Sequence, residues 1–363
     1  MARELRLGIM GTGYICQRHG EAFRALPGVK LAAVADLDPR RRKSFVRQFG
    51  STDEYPDYRD MLRKANLDAV VVGLPTGLHL RACMDSFKAG AHVLCEKPPT
   101  TCAADMVRVA RQARRSGLTY MFCRQFRFSN ASLRGRKLAD SGRLGKVYHA
   151  ETNWLRSRYV PTGAGSWRVS KAKGGGALLD LGFHALDEAW FVMGCPRPVE
   201  VCAGLHCAFG YLAPKGQEYT ADDATTGMVR FENGATLHLT VSFSLNWPGS
   251  QPLADGKVFN HELRETTVFG SHGGVQIING NSGREIIGAR RGVRLRPIPA
   301  WQPTEANAPV PMFLLQAKDF VRAVREKSTP TNSPEQAVML MQMLDALRES
   351  GETRRAVRIA KVG

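Results

Sequence analysis

The sequence predicts two α/β units in one chain: a doubly wound parallel sheet over residues 1–126, then an α+β unit with a large, mostly antiparallel open sheet over 127–363. Three observations carry this. Short apolar runs alternate with amphipathic stretches up to about residue 126. A glycine turn, Gly11-Thr12-Gly13, separates the first apolar run from the first helical stretch. Beyond it the pattern changes to period-two alternation with hairpin signals. At 363 residues the chain is too long for one typical domain and comfortable for two.

In order, strands are expected at residues 5–10, 30–35, 69–73, 92–95 and 119–123, with helices at 17–26, 39–49, 78–89 and 103–116. Right-handed crossovers would line up the strand ends, and with them Gly11, Asp36, Pro75, Lys97 and Gln125, along one edge. In the second unit a helix at 131–141 leads into a strand at 146–156, then strands at 196–209 and 224–231. Glu232-Asn233-Gly234 signals a hairpin into 235–245. On that strand Leu237, Leu239, Val241, Phe243 and Leu245 alternate with Thr236, His238, Thr240, Ser242 and Ser244, which form the opposite face. Strands follow at 262–269, 274–278 and 285–297, and two helices close the chain at 312–327 and 334–350, the latter capped by Ser333. Residues 246–260, with Pro248, Gly249 and Pro252, read as a loop.

The formal net charge of +18 is unusual, but the basic residues are scattered. Arg40-Arg41-Arg42-Lys43 and the run from Arg111 to Arg115 read as exposed helix faces, so no nucleic-acid partner is expected. No run of about 18 apolar residues occurs, so no membrane partner is expected. Eight cysteines, none in a C-x-x-C pair, suit reduced core thiols and a cytoplasmic location, and their spacing suggests no metal.

Gly11-Thr12-Gly13-Tyr14-Ile15-Cys16 is a dinucleotide fingerprint with its third glycine replaced by cysteine. Gly11 allows the tight turn, Gly13 lets backbone approach a pyrophosphate, and the helix start offers N–H groups to it. Asp36 ends the second strand, where a carboxylate accepts ribose hydroxyls and repels a 2′-phosphate; Arg40, Arg41 and Arg42 nearby pull the other way. Pro75-Thr76 and His79 follow the third apolar strand, and Glu96-Lys97-Pro98 follows the fourth. In the second unit, Gly174-Gly175-Gly176 precedes Asp180 and His184, four residues apart and so on one face of a helix. The glycines suit close approach to something bulky, and a carboxylate beside an imidazole suits proton transfer. Trp154, Arg156, Arg158, Tyr159, Trp167 and Arg168 precede them, a mixture suited to a ring with apolar faces and many hydroxyls.

Together with Gln125-x-Arg127-Phe128, these motifs resemble the Gfo/Idh/MocA oxidoreductases, glucose–fructose oxidoreductase and inositol dehydrogenase among them, over essentially the whole chain. The resemblance implies a Rossmann unit that binds NAD, with NADP possible, through Gly11, Thr12, Gly13, Tyr14, Ile15, Asp36, Pro75, Thr76, His79, Glu96, Lys97 and Gln125. It implies catalysis by Lys97, Asp180 and His184, with substrate also met by Arg127, Trp154, Tyr159, Trp167 and Arg168. Arg127 would point the same way as Gln125 on an extended segment. The expected reaction is hydride transfer between nicotinamide and a secondary hydroxyl of a sugar, polyol or glycoside. Two alternatives share the same pocket: a glycoside-cleaving enzyme that retains its NAD, and a non-catalytic sugar or NAD sensor. A homodimer or homotetramer packed through the second-unit sheet is also expected.

Overall fold

The computed structural model describes residues 3–50, 53–156, 167–245, 262–289, 292–300 and 310–361. Two compact units divide the chain: Met1–Phe128 with Gln302–Val338, and Ser129–Trp301 with Met339–Gly363. The sequence places everything after residue 126 in the second unit. The structure instead returns residues 302–338 to the first.

The first unit holds a six-stranded sheet. Its strands are β1 (Leu5–Met10), β2 (Val29–Ala35), β3 (Asp53–Tyr55), β4 (Ala69–Val72), β5 (His92–Cys95) and β6 (Tyr120–Phe122), in the order β3-β2-β1-β4-β5-β6. Every pairing is parallel. Strands covered on both faces need continuous apolar sequence, and β4, Ala-Val-Val-Val, is buried throughout. Its helices are α1 (Tyr14–Arg24), α2 (Pro39–Phe49), α3 (Tyr58–Lys64), α4 (His79–Lys88) and α5 (Ala103–Ser116). Asp38 caps α2 by accepting from the Arg40 and Arg41 N–H groups, and Pro39 fits the first turn because it has no N–H to lose. β3 and α3 are too short to show a period and escape the sequence reading; Asp57 starts α3 by accepting from Arg59 N–H at 2.8 Å.

The second unit opens with α6 (Asn130–Asp140), β7 (Val147–Arg156) and α7 (Phe183–Val192). Next come β8 (Pro198–His206), β9 (Ala224–Phe231), β10 (Thr236–Ser242), β11 (Glu262–Gly270), β12 (Gly273–Ile278), β13 (Ser282–Ala289) and β14 (Gly292–Ile298). Helix α8 (Pro311–Glu326) belongs to the first unit, where Phe313, Ala317, Phe320 and Val321 enter the core beside Leu5, Phe23 and Phe45. Helix α9 (Pro334–Thr353) runs on into the second unit, and β15 (Val357–Arg358) pairs with β8. Ser333 starts α9, its Oγ accepting from Gln336 N–H at 3.3 Å.

Among the described residues the second-unit sheet runs β14-β13-β12-β11-β7-β10-β9-β8-β15. Its pairings are antiparallel except β10 with β7. Leu237, Leu239 and Val241 are buried with Ala150, Thr152 and Trp154 of β7, on the side that α7 packs against. Thr236, His238 and Thr240 take the other side, as alternation requires. Two expectations fail here. β10 ends at Ser242, and Ser242 and Ser244 are buried: Ser242 Oγ donates to Ser244 O at 2.7 Å, in a turn rather than on an open face. Residues 285–297 are two strands, with Ala289 opposite Gly292.

Candidate active site

At the carboxyl edge of the parallel sheet, strand register does the positioning. Met10 is level with Ala35 and Val72, Val72 with Cys95, and Cys95 with Phe122. The residues that leave these strands, Gly11, Asp36, Gly73, Glu96 and Cys123, therefore start from one row. Gly11 has φ +91°, and a Cβ there would lie 2.7 Å from Gly73 O, so only glycine fits. Gly13 is the N-cap of α1 without a side-chain cap, and a Cβ on it would meet nothing within 4 Å. Its first-turn N–H groups and open approach fit a pyrophosphate. Cys16 fills the place of the third glycine: its Sγ sits 3.8 Å from Met10 O and from Gly73 O. A Cβ on Gly73 would come within 2.1 Å of that sulfur, so the glycine lost at 16 is balanced by one at 73.

Asp36 is held firmly in place. Thr12 donates to Oδ2 from both N–H and Oγ1 at 2.8 Å, and Asp38 N–H donates to Oδ1 at 2.9 Å. Burial pushes the Asp36 pKa up, but these bonds outweigh it and hold the carboxyl below its ordinary value. Of the arginines that follow, Arg42 is turned inward, donating to Asp36 O at 2.6 Å, and Arg41 pairs with Asp38 at 3.5 Å. Tyr14 is 71% exposed, while Ile15 packs its side chain against the apolar core.

Pro75 and Thr76 begin a 3₁₀ turn, Thr76–Leu78, at the end of β4. His79, expected at the cofactor, is instead buried with both ring nitrogens engaged: Nδ1 with Pro98 O at 2.8 Å and Nε2 with Leu74 O at 2.7 Å. Two carbonyl partners demand two N–H groups, which means an imidazolium. Burial opposes that charge, but Cys95 and the two carbonyls outweigh it and lift the His79 pKa to about 9. His79 thus clamps the β4 turn to the Glu96-Lys97-Pro98 turn, whose Lys97–Pro98 bond is cis. Glu96 is likewise engaged within the protein. His19 Nε2 lies 2.7 Å from Oε1, and Lys97 N–H donates to Oε2 at 2.9 Å. Burial would raise the Glu96 pKa; His19 and the Lys97 N–H bring it below the ordinary value. Glu96 and His19 position the Lys97 backbone.

Gln125 and Arg127 lie in a 3₁₀ turn, Gln125–Phe128, not on an extended segment, so they do not share a face. Arg127 is 0% exposed, donating to Thr331 O at 3.3 Å and to Gln336 Oε1, with its guanidinium 5.0 Å from the Phe122 ring. It pins residues 331–336 to the sheet and cannot face a substrate.

In the second unit the glycine run leads into a π-turn, Leu178–Gly182, which passes directly into α7. Such widened turns are frequent at functional sites. Asp180 is 7% and His184 5% exposed. Asp180 Oδ2 accepts from Arg168 Nε at 3.0 Å. The His184 ring lies 5.5 Å from Trp154. Trp154 is held from both sides: its Nε1 donates to Glu262 Oε1, and the Arg264 guanidinium sits 4.4 Å from its ring. Arg264 in turn donates to Glu188 Oε1 at 3.0 Å, one turn beyond His184 on α7. Arg156 reaches Glu262 at 3.2 Å. The structure so brings Trp154, Arg168, Asp180 and His184 into one neighbourhood. Trp167 contributes its backbone to a 3₁₀ turn, Trp167–Val169; Arg158, Tyr159 and the 246–260 loop lie outside the described residues.

The close approach behind the glycines is to Asp222. Gly176 has φ +119°, and a Cβ there would fall 2.0 Å from Asp222 Oδ1. Asp222 Oδ2 accepts from Leu178 N–H at 2.8 Å and Thr225 Oγ1 at 2.9 Å. Burial still lifts its pKa above the ordinary carboxylate value. Neither Asp222 nor the Glu188–Arg264–Glu262 set stands out in the sequence, because each is ordinary until its distant partner is known.

Residues 5–123 match the oxidoreductase family model with an NAD-binding Rossmann fold, and residues 133–276 match the GFO/IDH/MocA C-terminal domain. The chain belongs to the Gfo/Idh/MocA family. It is 27% identical to D-glucoside 3-dehydrogenase of Escherichia coli K12, across 96% of each chain. It is 26% identical to D-xylose 1-dehydrogenase (NADP(+)) 2 of Haloferax volcanii, across 98% of this chain and 100% of that one. A solved levoglucosan dehydrogenase, in complex with NADH and L-sorbose, shares the fold at TM-score 0.85 and 20% identity, over 99% of this chain and 100% of that one. As a Gfo/Idh/MocA protein this chain is an NAD-binding oxidoreductase, and its Gly11–Gly13 turn, open α1 start and fixed Asp36 fit that cofactor. No helix among the described residues is long and apolar enough to cross a membrane.

Proposed function

We propose that the protein oxidises a secondary hydroxyl of a sugar, polyol or glycoside with NAD, a ring hydroxyl of a pyranoside being the preferred target. The observation that carries this is His184: a nearly buried imidazole against Trp154, with Asp180 four residues before it. Bound NAD supplies a hydride acceptor at the nicotinamide. His184 takes the hydroxyl proton as the carbinol C–H bond breaks, leaving a ketone. Lys97, held by Glu96 through its own N–H, stabilises negative charge developing on the oxygen. Asp180, fixed by Arg168, binds a neighbouring hydroxyl or sets the His184 ring. The relatives named above, one acting on D-glucosides and one on D-xylose, support a carbohydrate substrate.

A panel of sugars and glycosides with free NAD, followed at the absorbance of NADH, tests the reading. NADH accumulating in step with a keto-sugar supports it. Aglycone release under catalytic NAD without NADH accumulation replaces it with the glycoside-cleaving reaction, and no turnover with any sugar leaves a sensor. Asp36, with both carboxylate oxygens fixed toward the end of β2, supports a preference for NAD; tighter binding of NADP in a titration would refute that preference.

A further inference from the structure

The open face of the second-unit sheet carries a cluster that hydride transfer does not use. β7 and β10 run parallel and side by side, with Thr236 level with His149 and His238 level with Glu151. His149 and Glu151 are two apart on β7 and so share a face. Strand register therefore brings two imidazoles and a carboxylate to adjacent positions, whatever rotamers they adopt. One ligand atom from each lies within 4.8 Å of the others. His149 Nε2 is 3.6 Å from Glu151 Oε1, and the two histidine rings meet edge to face at 4.8 Å.

We propose that His149, Glu151 and His238 form a binding site for a divalent zinc-class ion. Two imidazole nitrogens and one carboxylate oxygen are a zinc ligand set, with a fourth tetrahedral position left for water. Zinc bonds of about 2.0–2.2 Å put ligand atoms about 3.4 Å apart, so the present cluster needs to contract by little more than about 1 Å. Glu151 and His238 are exposed on the single chain, and neither has to leave the core to move that far. His149 is already set. Its Nδ1 is 2.9 Å from Thr236 Oγ1, which can accept the N–H and leave the Nε2 lone pair facing Glu151. Phe269 stacks on the ring at 5.6 Å and fixes its plane. The other such grouping among the described residues, His19, Glu96 and Cys123, is wholly buried, and its carboxylate is engaged by His19 and Lys97 N–H. An ion there would have to break the pair that positions Lys97; on the sheet face no hydrogen bond within the chain has to break.

The test uses the full chain, without an affinity tag and stripped of metal, titrated with cobalt(II) and then zinc. The expected result is one equivalent of Co²⁺ with tetrahedral visible absorption, displaced by Zn²⁺. The double variant His149→Ala/His238→Ala should abolish that band, and Glu151→Gln should weaken binding at least about tenfold. All three positions lie on the sheet's open face, and far-UV circular dichroism confirms that the variants fold. No saturable band in the unmodified protein, or an unchanged band in the double variant, overturns the proposal.

Discussion

Two glycines near the candidate site residues, Gly13 and Gly176, serve opposite purposes. At Gly13 the missing Cβ leaves open space above the start of α1. At Gly176 the space is filled by the protein's own Asp222, whose Oδ1 would lie 2.0 Å from a Cβ. The first glycine leaves room for a ligand. The second serves the fold, letting Asp222 hold the entry to the π-turn that carries Asp180. A glycine run beside polar residues therefore does not by itself mark a surface for substrate; what fills the vacated volume decides.

The largest effects should come from the proposed catalytic groups, Lys97 on the turn after β5 and His184 on the helix that follows the Gly176 segment. Lys97→Ala and His184→Ala are each expected to lower turnover by about 10²–10⁴ while leaving NAD affinity within a few-fold. Near-normal turnover at saturating substrate in either variant would remove that residue from the mechanism.

Next come the glycines themselves. Gly176→Ala meets both a left-handed backbone and a clash, and should cost about 2–5 kcal/mol of stability, read as a lowered urea midpoint. Asp222→Gly in the same chain should recover part of that loss. Gly13→Ala should change stability by no more than about 1 kcal/mol. It should weaken NAD binding about tenfold, the worth of one hydrogen bond to a charged group. If Gly176→Ala were neutral and Gly13→Ala destabilising, the two roles would be reversed.

The same contrast explains what could be read from sequence. The parallel strands were legible because strands covered on both faces are continuous apolar runs, and the glycine turn because tight turns admit few residues. Long-range partners were not. Nothing near Arg127 shows that Thr331 and Gln336 will take its guanidinium, and nothing in residues 311–326 says that the helix returns to the first unit. The family resemblance places His79 among the cofactor residues, and nothing around it in sequence shows that its two carbonyl partners will come from residues 74 and 98. Residues 285–297 read as one strand because Ala289-Arg290-Arg291-Gly292 has no Asn-Gly or Pro signal to divide it.

His79 extends the contrast to pH. Its folded pKa, about 9, lies above the unfolded value, so its stabilising effect is complete below about pH 6.5 and fades as pH rises through 9. The full difference is on the order of 3 kcal/mol. Urea midpoints from pH 6 to 9.5 should fall more steeply for the unmodified protein than for His79→Gln, which keeps one donor but no titrating charge. Parallel curves would show that His79 is neutral in the fold.

The smallest effect concerns the third fingerprint position, where a ligand-side motif has been altered by packing. Cys16 Sγ occupies volume that Gly73 leaves free, so the two positions should be coupled. Gly73→Ala alone puts a methyl 2.1 Å from the sulfur and should cost about 1–3 kcal/mol. Cys16→Gly alone opens a small cavity and adds backbone freedom in α1, for a loss of about 1 kcal/mol or more. Together they restore a glycine at 16 opposite a small side chain at 73. The double variant should then be more stable than the sum of the two losses allows, by about 0.5–3 kcal/mol. NAD affinity should stay nearly constant through the series, because the Cys16 sulfur faces Met10 O and Gly73 O, away from the open space above Gly13. Additive losses would mean that the backbone shifts to accept each change separately. A large drop in NAD affinity with Cys16→Gly would mean that the cysteine faces the ligand after all.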